Sequence, residues 1–219
     1  MDIALIGGHG KIALLAEPLL TEAGHTVDAV IRNPEHAAEV EATGARAVVE
    51  DIEHLDADGW ERLVRGHDVV VWSAGAGGGD PQRTWAVDRD AAIAAYDAAA
   101  RAGVGRFIMV SYFGAGPDHG IPEDDDFYPY AQAKSEADAH LLEADGPAVT
   151  ILRPSRLTLD EPSGRIDVAA DSAGDVARAD VARVIAAVIE RDGLGGAVVE
   201  FNGGGAPIDE ALTAVASRG

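Results

Sequence analysis

The sequence predicts an α/β protein with a parallel central sheet, and three features carry that expectation. Short apolar runs alternate with alanine-rich stretches of helical period, as repeated βαβ units require. A glycine turn joins the first run directly to the first helical stretch. The two longest irregular stretches, Ala74–Thr84 and Phe113–Pro129, both follow strands, at the edge where open α/β sheets bind ligands.

The elements follow in order. Asp2–Ile6 is the first strand, and Lys11–Glu22 is a helix whose left-handed C-cap is Gly24. Thr26–Arg32 is the second strand, Pro34–Thr43 a helical segment, Ala45–Glu50 the third strand and Asp56–Val64 a helix. Val69–Ser73 is the fourth strand; the alanine-rich helix Ala86–Ala102 ends at Gly103. Arg106–Ser111 and Ala148–Arg153 are the fifth and sixth strands, with the helix Tyr130–Ala144 between them. Asp180 opens an amphipathic face of Val181, Val184, Ile185 and Val188 within a helix over Arg178–Arg191. Ala197–Asn202 is the seventh strand and Pro207–Ala216 the last helix. At about 150 residues per domain, 219 residues favour one domain over two. No repeat or linker divides residues 1–219, so 154–219 reads as a C-terminal, substrate-side extension.

Composition narrows the function. With 47% hydrophobic and 25% charged residues, the chain reads as soluble, globular and able to bury a core. Seventeen Lys and Arg against 38 Asp and Glu leave a net charge of −21, which repels phosphate backbones and anionic lipid. Nucleic acid and membrane are therefore not expected partners. A local basic site can still hold a nucleotide cofactor, because distant acids are screened over about 10 Å. The absence of cysteine removes disulfides, thiolate nucleophiles and cysteine-ligated metals, so redox chemistry requires a bound cofactor. The seven histidines show no ligand spacing, and no metal is expected. Met1–Ile6 lacks a basic leader and no apolar run approaches about 18 residues, which predicts a cytoplasmic protein.

The turn Gly7-Gly8-His9-Gly10-Lys11-Ile12-Ala13 has the spacing G-x-x-G-x-x-A between a strand and a helix. Gly7 permits the sharp turn, Gly10 the approach of a pyrophosphate, and Ala13 close packing of helix on sheet, while the helix N-terminus faces the anion. Gly7, His9, Gly10, Lys11 and Ile12 are thus candidate cofactor contacts; an ordinary strand-to-helix turn is the plainer alternative. Arg32 ends the second strand, about 20 residues beyond the turn, where an NAD site carries a carboxylate. A guanidinium there favours the 2′-phosphate of NADP, with NAD still possible, unless Arg32 is only a solvated strand end. Asp28 lies too early in the strand to reach the ribose. Asp51 and Ile52 are placed beside the adenine, or Asp51 is a helix or turn cap. Ser73, Ala74 and Gly75 are small enough for a cofactor to lie against their backbone, although a plain glycine-rich loop reads the same way.

Together with Val30-Ile31-Arg32-Asn33-Pro34, Gly103 to Ser111, Tyr130-Ala131-Gln132-Ala133-Lys134 and Thr150-Ile151-Leu152-Arg153-Pro154, this turn resembles the short-chain dehydrogenase/reductase superfamily. The likeness is to its atypical branch of compact NAD(P)-binding proteins and spans almost the whole chain. Arg178-Ala179-Asp180-Val181-Ala182, Gly203-Gly204 and Pro207-Ile208 look like the same branch. The resemblance implies a Rossmann-like doubly wound sheet in strand order 3-2-1-4-5-6-7, with the cofactor across its C-terminal edge. It also implies that Arg153-Pro154 forms the turn touching the nicotinamide end. The superfamily's asparagine on the helix after the fourth strand has no clear counterpart; Asp88 begins that region.

Tyr130 and Lys134 are four residues apart, hence on one face of a helix. A protonated Lys134 is expected to lower the tyrosine pKa from about 10 toward that of a working general acid, and to hold the nicotinamide ribose. Ser111, at the end of the fifth strand, can hydrogen-bond a substrate carbonyl, so Ser111, Tyr130 and Lys134 form the candidate catalytic set. Surface decoration is the bland reading of such a Tyr–Lys pair. Glu123–Asp126 is a solvated acidic loop or a cover for the substrate pocket. The leading expectation is an NADP-dependent oxidoreductase acting on a small carbonyl or other acceptor. A noncatalytic NAD(P)-binding sensor and a flavin-reductase-like enzyme are the alternatives, while the short segment after Arg153 disfavours a sugar-nucleotide epimerase.

Overall fold

The computed structural model describes residues 1–77 and 80–217. Seven parallel strands form its centre: β1 (Asp2–Ile6), β2 (Thr26–Ile31), β3 (Arg46–Val49), β4 (Val69–Trp72), β5 (Arg106–Val110), β6 (Ala148–Pro154) and, later in the chain, β10 (Ala197–Gly203). They lie in the order β3-β2-β1-β4-β5-β6-β10, the doubly wound arrangement expected from the motifs. The sequence reading missed four short strands: β7 (Arg156–Thr158), β8 (Arg165–Asp167), β9 (Asp175–Ala177) and β11 (Ala206–Pro207). Each has two or three residues, too few for a periodic pattern to show. β8 runs antiparallel beside β10 and β11 beside β8, extending the sheet to nine strands, while β7 and β9 pair separately.

Alternation along each strand divides the core into two layers. Ile3 and Leu5 of β1 face one side, packing in the layer of α1 (Ala13–Glu22), α7 (Arg178–Ile189) and α8 (Ile208–Ala216). Ala4 and Ile6 face the other, with α3 (Ala57–Val64), α5 (Ala92–Ala102) and α6 (Tyr128–Glu143). Because both faces are covered, Val69–Trp72 of β4 is buried without interruption.

Two helices differ from expectation. The segment expected as a helix from Pro34 to Thr43 is a single 3₁₀ turn, Pro34–His36, capped by Asn33, followed by the short α2 (Ala37–Glu41). The helix expected from Ala86 starts earlier, at α4 (Pro81–Thr84), where the Asp80 carboxylate caps the amides of Gln82 and Arg83. Trp85–Ala91 then widens into a π-helical turn before α5, which ends at Gly103 in the left-handed conformation (φ 76°). Such turns insert one residue and often mark functional positions. This one carries Asp88.

Glu17 is a buried acid on α1. Thr43 Oγ1 donates to its Oε2 at 2.9 Å, but Oε1 has no partner. Burial pushes its carboxyl up to about 7, against the Thr43 hydrogen bond and the nearby His9. A raised folded-state value makes this contribution to stability full below the unfolded pKa and progressively lost as pH climbs from 4.5 to about 7. The span corresponds to roughly 3 kcal/mol. Glu17→Gln should therefore flatten the melting temperature between those pH values and raise it above wild type at pH 8; parallel thermal melts across pH would check this.

Candidate active site

Two clefts meet at the C-terminal edge of the sheet. The first, about 340 Å³, opens over the glycine turn and the ends of β2 and β3. Gly7 and Gly8 donate their amides to the Val30 carbonyl at 3.1 and 2.8 Å, which pins the turn against β2. Gly7 has φ of 90°, and a Cβ on it would lie 2.7 Å from Ala74 Cα, so only glycine fits. Gly10 has a structural part beside its expected one: its amide closes the turn onto the Gly7 carbonyl at 2.8 Å. The first turn of α1 has neither an acidic residue nor a side-chain cap, leaving the helix N-terminus electropositive and suited to a pyrophosphate.

Other expected contacts divide. Arg32 lines this cleft, its Nη1 2.9 Å from Glu53 Oε1, and Arg83 Nε meets the same oxygen at 2.9 Å. His9 stacks on His36 with ring centroids 3.6 Å apart and bonds Glu39 through Nε2 at 2.7 Å. Ile52 lines the cleft, but Asp51 does not: it takes the turn-cap role, accepting from the Glu53 amide and pairing with the His54 ring. Lys11 is exposed and lines neither cleft, because the turn points its side chain to solvent. Asp28, excluded from the site by its place in β2, is bound by Arg46 and His67 at the far end of the sheet.

Ser73, Ala74 and Gly75 line both clefts and join them. The second cleft, about 710 Å³, gathers Ile12, Asp88, Ser111, Tyr130, Lys134 and Pro154. Tyr130 is partly buried, its ring 5.6 Å from that of Tyr112 and 5.2 Å from that of Phe127. Lys134, 1% exposed, has the Met109 thioether as its hydrogen-bonding contact, at 3.8 Å. Asp88 and Asp138 lie close enough to act on it electrostatically. Asp88 Oδ2 accepts from the Ala76 amide at 3.0 Å, and Asp138 Oδ2 accepts from Ser111 Oγ at 2.9 Å and Arg153 Nε at 3.0 Å. Their two Oδ1 atoms are buried without a partner among the described residues.

Two expectations need correction here. Ser111 does not point a free hydroxyl at an acceptor; it donates to Asp138. Arg153 does not line the cleft, because Asp138 and Glu200 hold it beneath, and only Pro154 of that turn reaches the cleft wall. Sequence reading did not place Asp138, although it continues the Tyr130–Lys134 face at the same spacing of four.

The electrostatics are also opposite to those expected for Tyr130. Burial, then the carboxylates of Asp88 and Asp138, push its phenol well above the ordinary value. Burial likewise pulls Lys134 down, against the pull of Asp88 and Asp138, and raises both of those acids. Lys134 does not acidify Tyr130, and its own charge is balanced against the carboxylates of Asp88 and Asp138. On the cleft wall, Lys134, which has no ion pair among the described residues, the orphaned Asp88 Oδ1 and the missing Cβ of Gly75, where one would stand 3.1 Å from that oxygen, form a polar cradle suited to the hydroxyls of a ribose.

A family model described as NAD(P)H-binding matches residues 7–192, spanning both clefts. The chain belongs to this NAD(P)H-binding family. YhfK of Bacillus subtilis, named a sugar epimerase but uncharacterized, is 34% identical over 97% of this chain and 99% of its own. A Bacillus halodurans structure, provisionally named an NAD-dependent epimerase/dehydratase, superposes with a TM-score of 0.88 at 29% identity, covering 98% of this chain and 99% of that one. The oxidoreductase ylbE of Lactococcus lactis gives the same TM-score at 26% identity, over 99% and 97%. The fold is an atypical short-chain dehydrogenase/reductase-like Rossmann fold. Among the described residues no cluster could hold a metal ion, and no helix is long and apolar enough to cross a membrane.

The buried network makes a quantitative expectation. Asp138→Ala removes the buried acceptor of Ser111 and Arg153 and one of the two carboxylates acting on Lys134, and should lower unfolding free energy by about 3–5 kcal/mol. Glu200→Ala cuts the more exposed contact of Arg153 and an exposed hydrogen bond from the Gly114 amide, and should cost about 1 kcal/mol. Urea denaturation of both variants would check the contrast.

Proposed function

We propose that this NAD(P)H-binding protein is an NADP-dependent oxidoreductase acting on a small carbonyl or other hydride acceptor. The observation that carries the reading is the convergence of Tyr130, Lys134 and Asp88 on a cleft continuous, through Ser73–Gly75, with the glycine-turn cleft. Relatives named epimerase and oxidoreductase support the same class of chemistry. A bound nicotinamide supplies or receives hydride. The chain's own groups would do the rest. The α1 N-terminus and the backbone of Gly7–Gly10 receive the pyrophosphate, while Lys134 and Asp88 meet ribose hydroxyls with their unspent hydrogen-bonding capacity. Tyr130 keeps its proton at neutral pH because burial and two carboxylates oppose the phenolate, which suits a proton donor to a developing alkoxide. Ser111, held by Asp138, fixes the wall beside it, and the aromatic surface of Tyr112 and Phe127 excludes water.

Arg32 and Arg83, gathered on Glu53, support NADP: two guanidiniums offer planar donors to a 2′-phosphate at the adenosine end. A sugar-epimerase reading is suggested by the name of YhfK. A noncatalytic sensor would bind the dinucleotide without turnover.

Cofactor choice is tested by titration. Arg32→Asp should weaken NADP by about 1.5–3 kcal/mol and shift preference toward NAD; a wild type that binds both equally removes Arg32 as the discriminator. Turnover is tested by NADPH consumption over a carbonyl and flavin panel. Tyr130→Phe should lower carbonyl reduction by roughly 10²- to 10⁴-fold with dinucleotide affinity near wild type, whereas Lys134→Ala should damage both. Full activity in Tyr130→Phe would eliminate the tyrosine acid, and no turnover with any acceptor would favour the sensor.

A further inference from the structure

The acceptor side of the second cleft combines an aromatic cluster with cationic groups. Tyr112, Phe127 and Tyr130 form a cluster with ring centroids 5.2 to 5.6 Å apart, and Phe127 is left 43% exposed at its edge. Two arginines from the C-terminal segment, Arg156 and Arg178, line the same cleft. They are not equivalent. Arg156 is committed, its Nε and Nη2 gripping the Asp175 carboxylate at 2.6 and 2.7 Å.

Arg178 stands at the first position of α7, partly buried. It donates one hydrogen bond, from Nη1 to the Thr158 carbonyl at 3.2 Å, and among the described residues no carboxylate pairs with it. In a chain with 38 acids for 17 bases, compensation of a buried-side guanidinium is easily found, yet here it is missing. The carboxylate that does line the cleft, Asp88, sits beside Lys134 and already counterbalances its charge. A guanidinium has five donors in a planar fork; one is engaged here, and Arg178 lines a cleft whose wall is mainly apolar. A low-dielectric wall around one uncompensated cation strengthens its attraction for a ligand anion and resists the screening that weakens surface pairs.

We propose that Arg178 is a specificity residue that selects an acceptor carrying a carboxylate on an aromatic body, the body packing against the cluster of Tyr112, Phe127 and Tyr130. The proposal rests on the oxidoreductase reading for what happens to the acceptor. The anion contact itself requires no dinucleotide, and this separates the two claims experimentally.

The probes are 4-carboxybenzaldehyde and its uncharged methyl ester, titrated by calorimetry into the full-length protein with and without NADP⁺. Wild type should bind the acid about tenfold more tightly than the ester, the scale of one charge-assisted contact. Arg178→Gln should erase that difference while leaving ester affinity and the melting temperature near wild type; Arg178→Lys should restore part of it. Raised salt should narrow the gap in wild type only slightly, since the pair forms inside the cleft. Equal binding of acid and ester by wild type, a difference that survives in Arg178→Gln, or no binding of either compound at millimolar concentration would each overturn the proposal. Failure of the oxidoreductase reading looks different: the acid preference persists in the dinucleotide-free protein, but NADPH is neither bound nor consumed.

Discussion

The ammonium of Lys134, enclosed beneath the cleft without a direct ion pair, is the constraint around which the site is arranged. Burying a charge costs several kcal/mol unless neighbours compensate it. Compensation comes from three directions: Asp138 one turn along α6, Asp88 from the π-helical turn, and the polarizable sulfur of Met109 on β5. Asp138 in turn gathers Ser111 and Arg153, so the ends of β5 and β6 are tied to α6 through one carboxylate. Holding Lys134 in place thus fixes the relative positions of three sheet-edge loops. It also leaves Asp88 Oδ1, on the cleft wall, unsatisfied among the described residues, a local cost that a folded protein tolerates where a ligand can answer it.

Much of this was legible in the sequence. The seven parallel strands followed from apolar runs, because βαβ units repeat a pattern that single-chain periodicity records, while their order followed from the family resemblance that the motifs carry. The glycine turn was legible because Gly7 needs a left-handed conformation that few residues adopt. What escaped was of two kinds. Short strands such as β8 and β11 exist only through pairing with distant partners, so their two or three residues carry no local signature. Side-chain commitments escaped as well: a motif places Ser111 and Arg153 near the cleft, but only packing shows that Asp138 claims both. Asp51 shows the same limit, since cap and adenine contact predict the same residue after the same strand.

The charge distribution separates global from local electrostatics. A net −21 describes the protein's distant field, which keeps polyanions away. Within the adenosine-side cleft, Arg32 and Arg83 converge on one glutamate, so two guanidiniums are held side by side on the same wall. Screening over about 10 Å lets that local arrangement govern a small ligand while the surface acids govern large ones. Composition alone cannot distinguish these scales; the position of Glu53 does.

The π-helical turn at Trp85–Ala91 has a consequence for how this chain can change in length. Each residue added to or removed from a helix swings everything beyond it by about 100°. A single-codon insertion or deletion between Thr84 and Ala92 would leave the alanine-rich α5 plausible as a sequence, yet swing either Asp88 or the packed face of α5 out of register with the sheet. Length changes in the loop between β5 and α6 displace no helix face, as befits a surface connection. Natural variation in length should therefore accumulate beside the acceptor and be almost absent from the one segment whose extra residue already sets the phase of a helix.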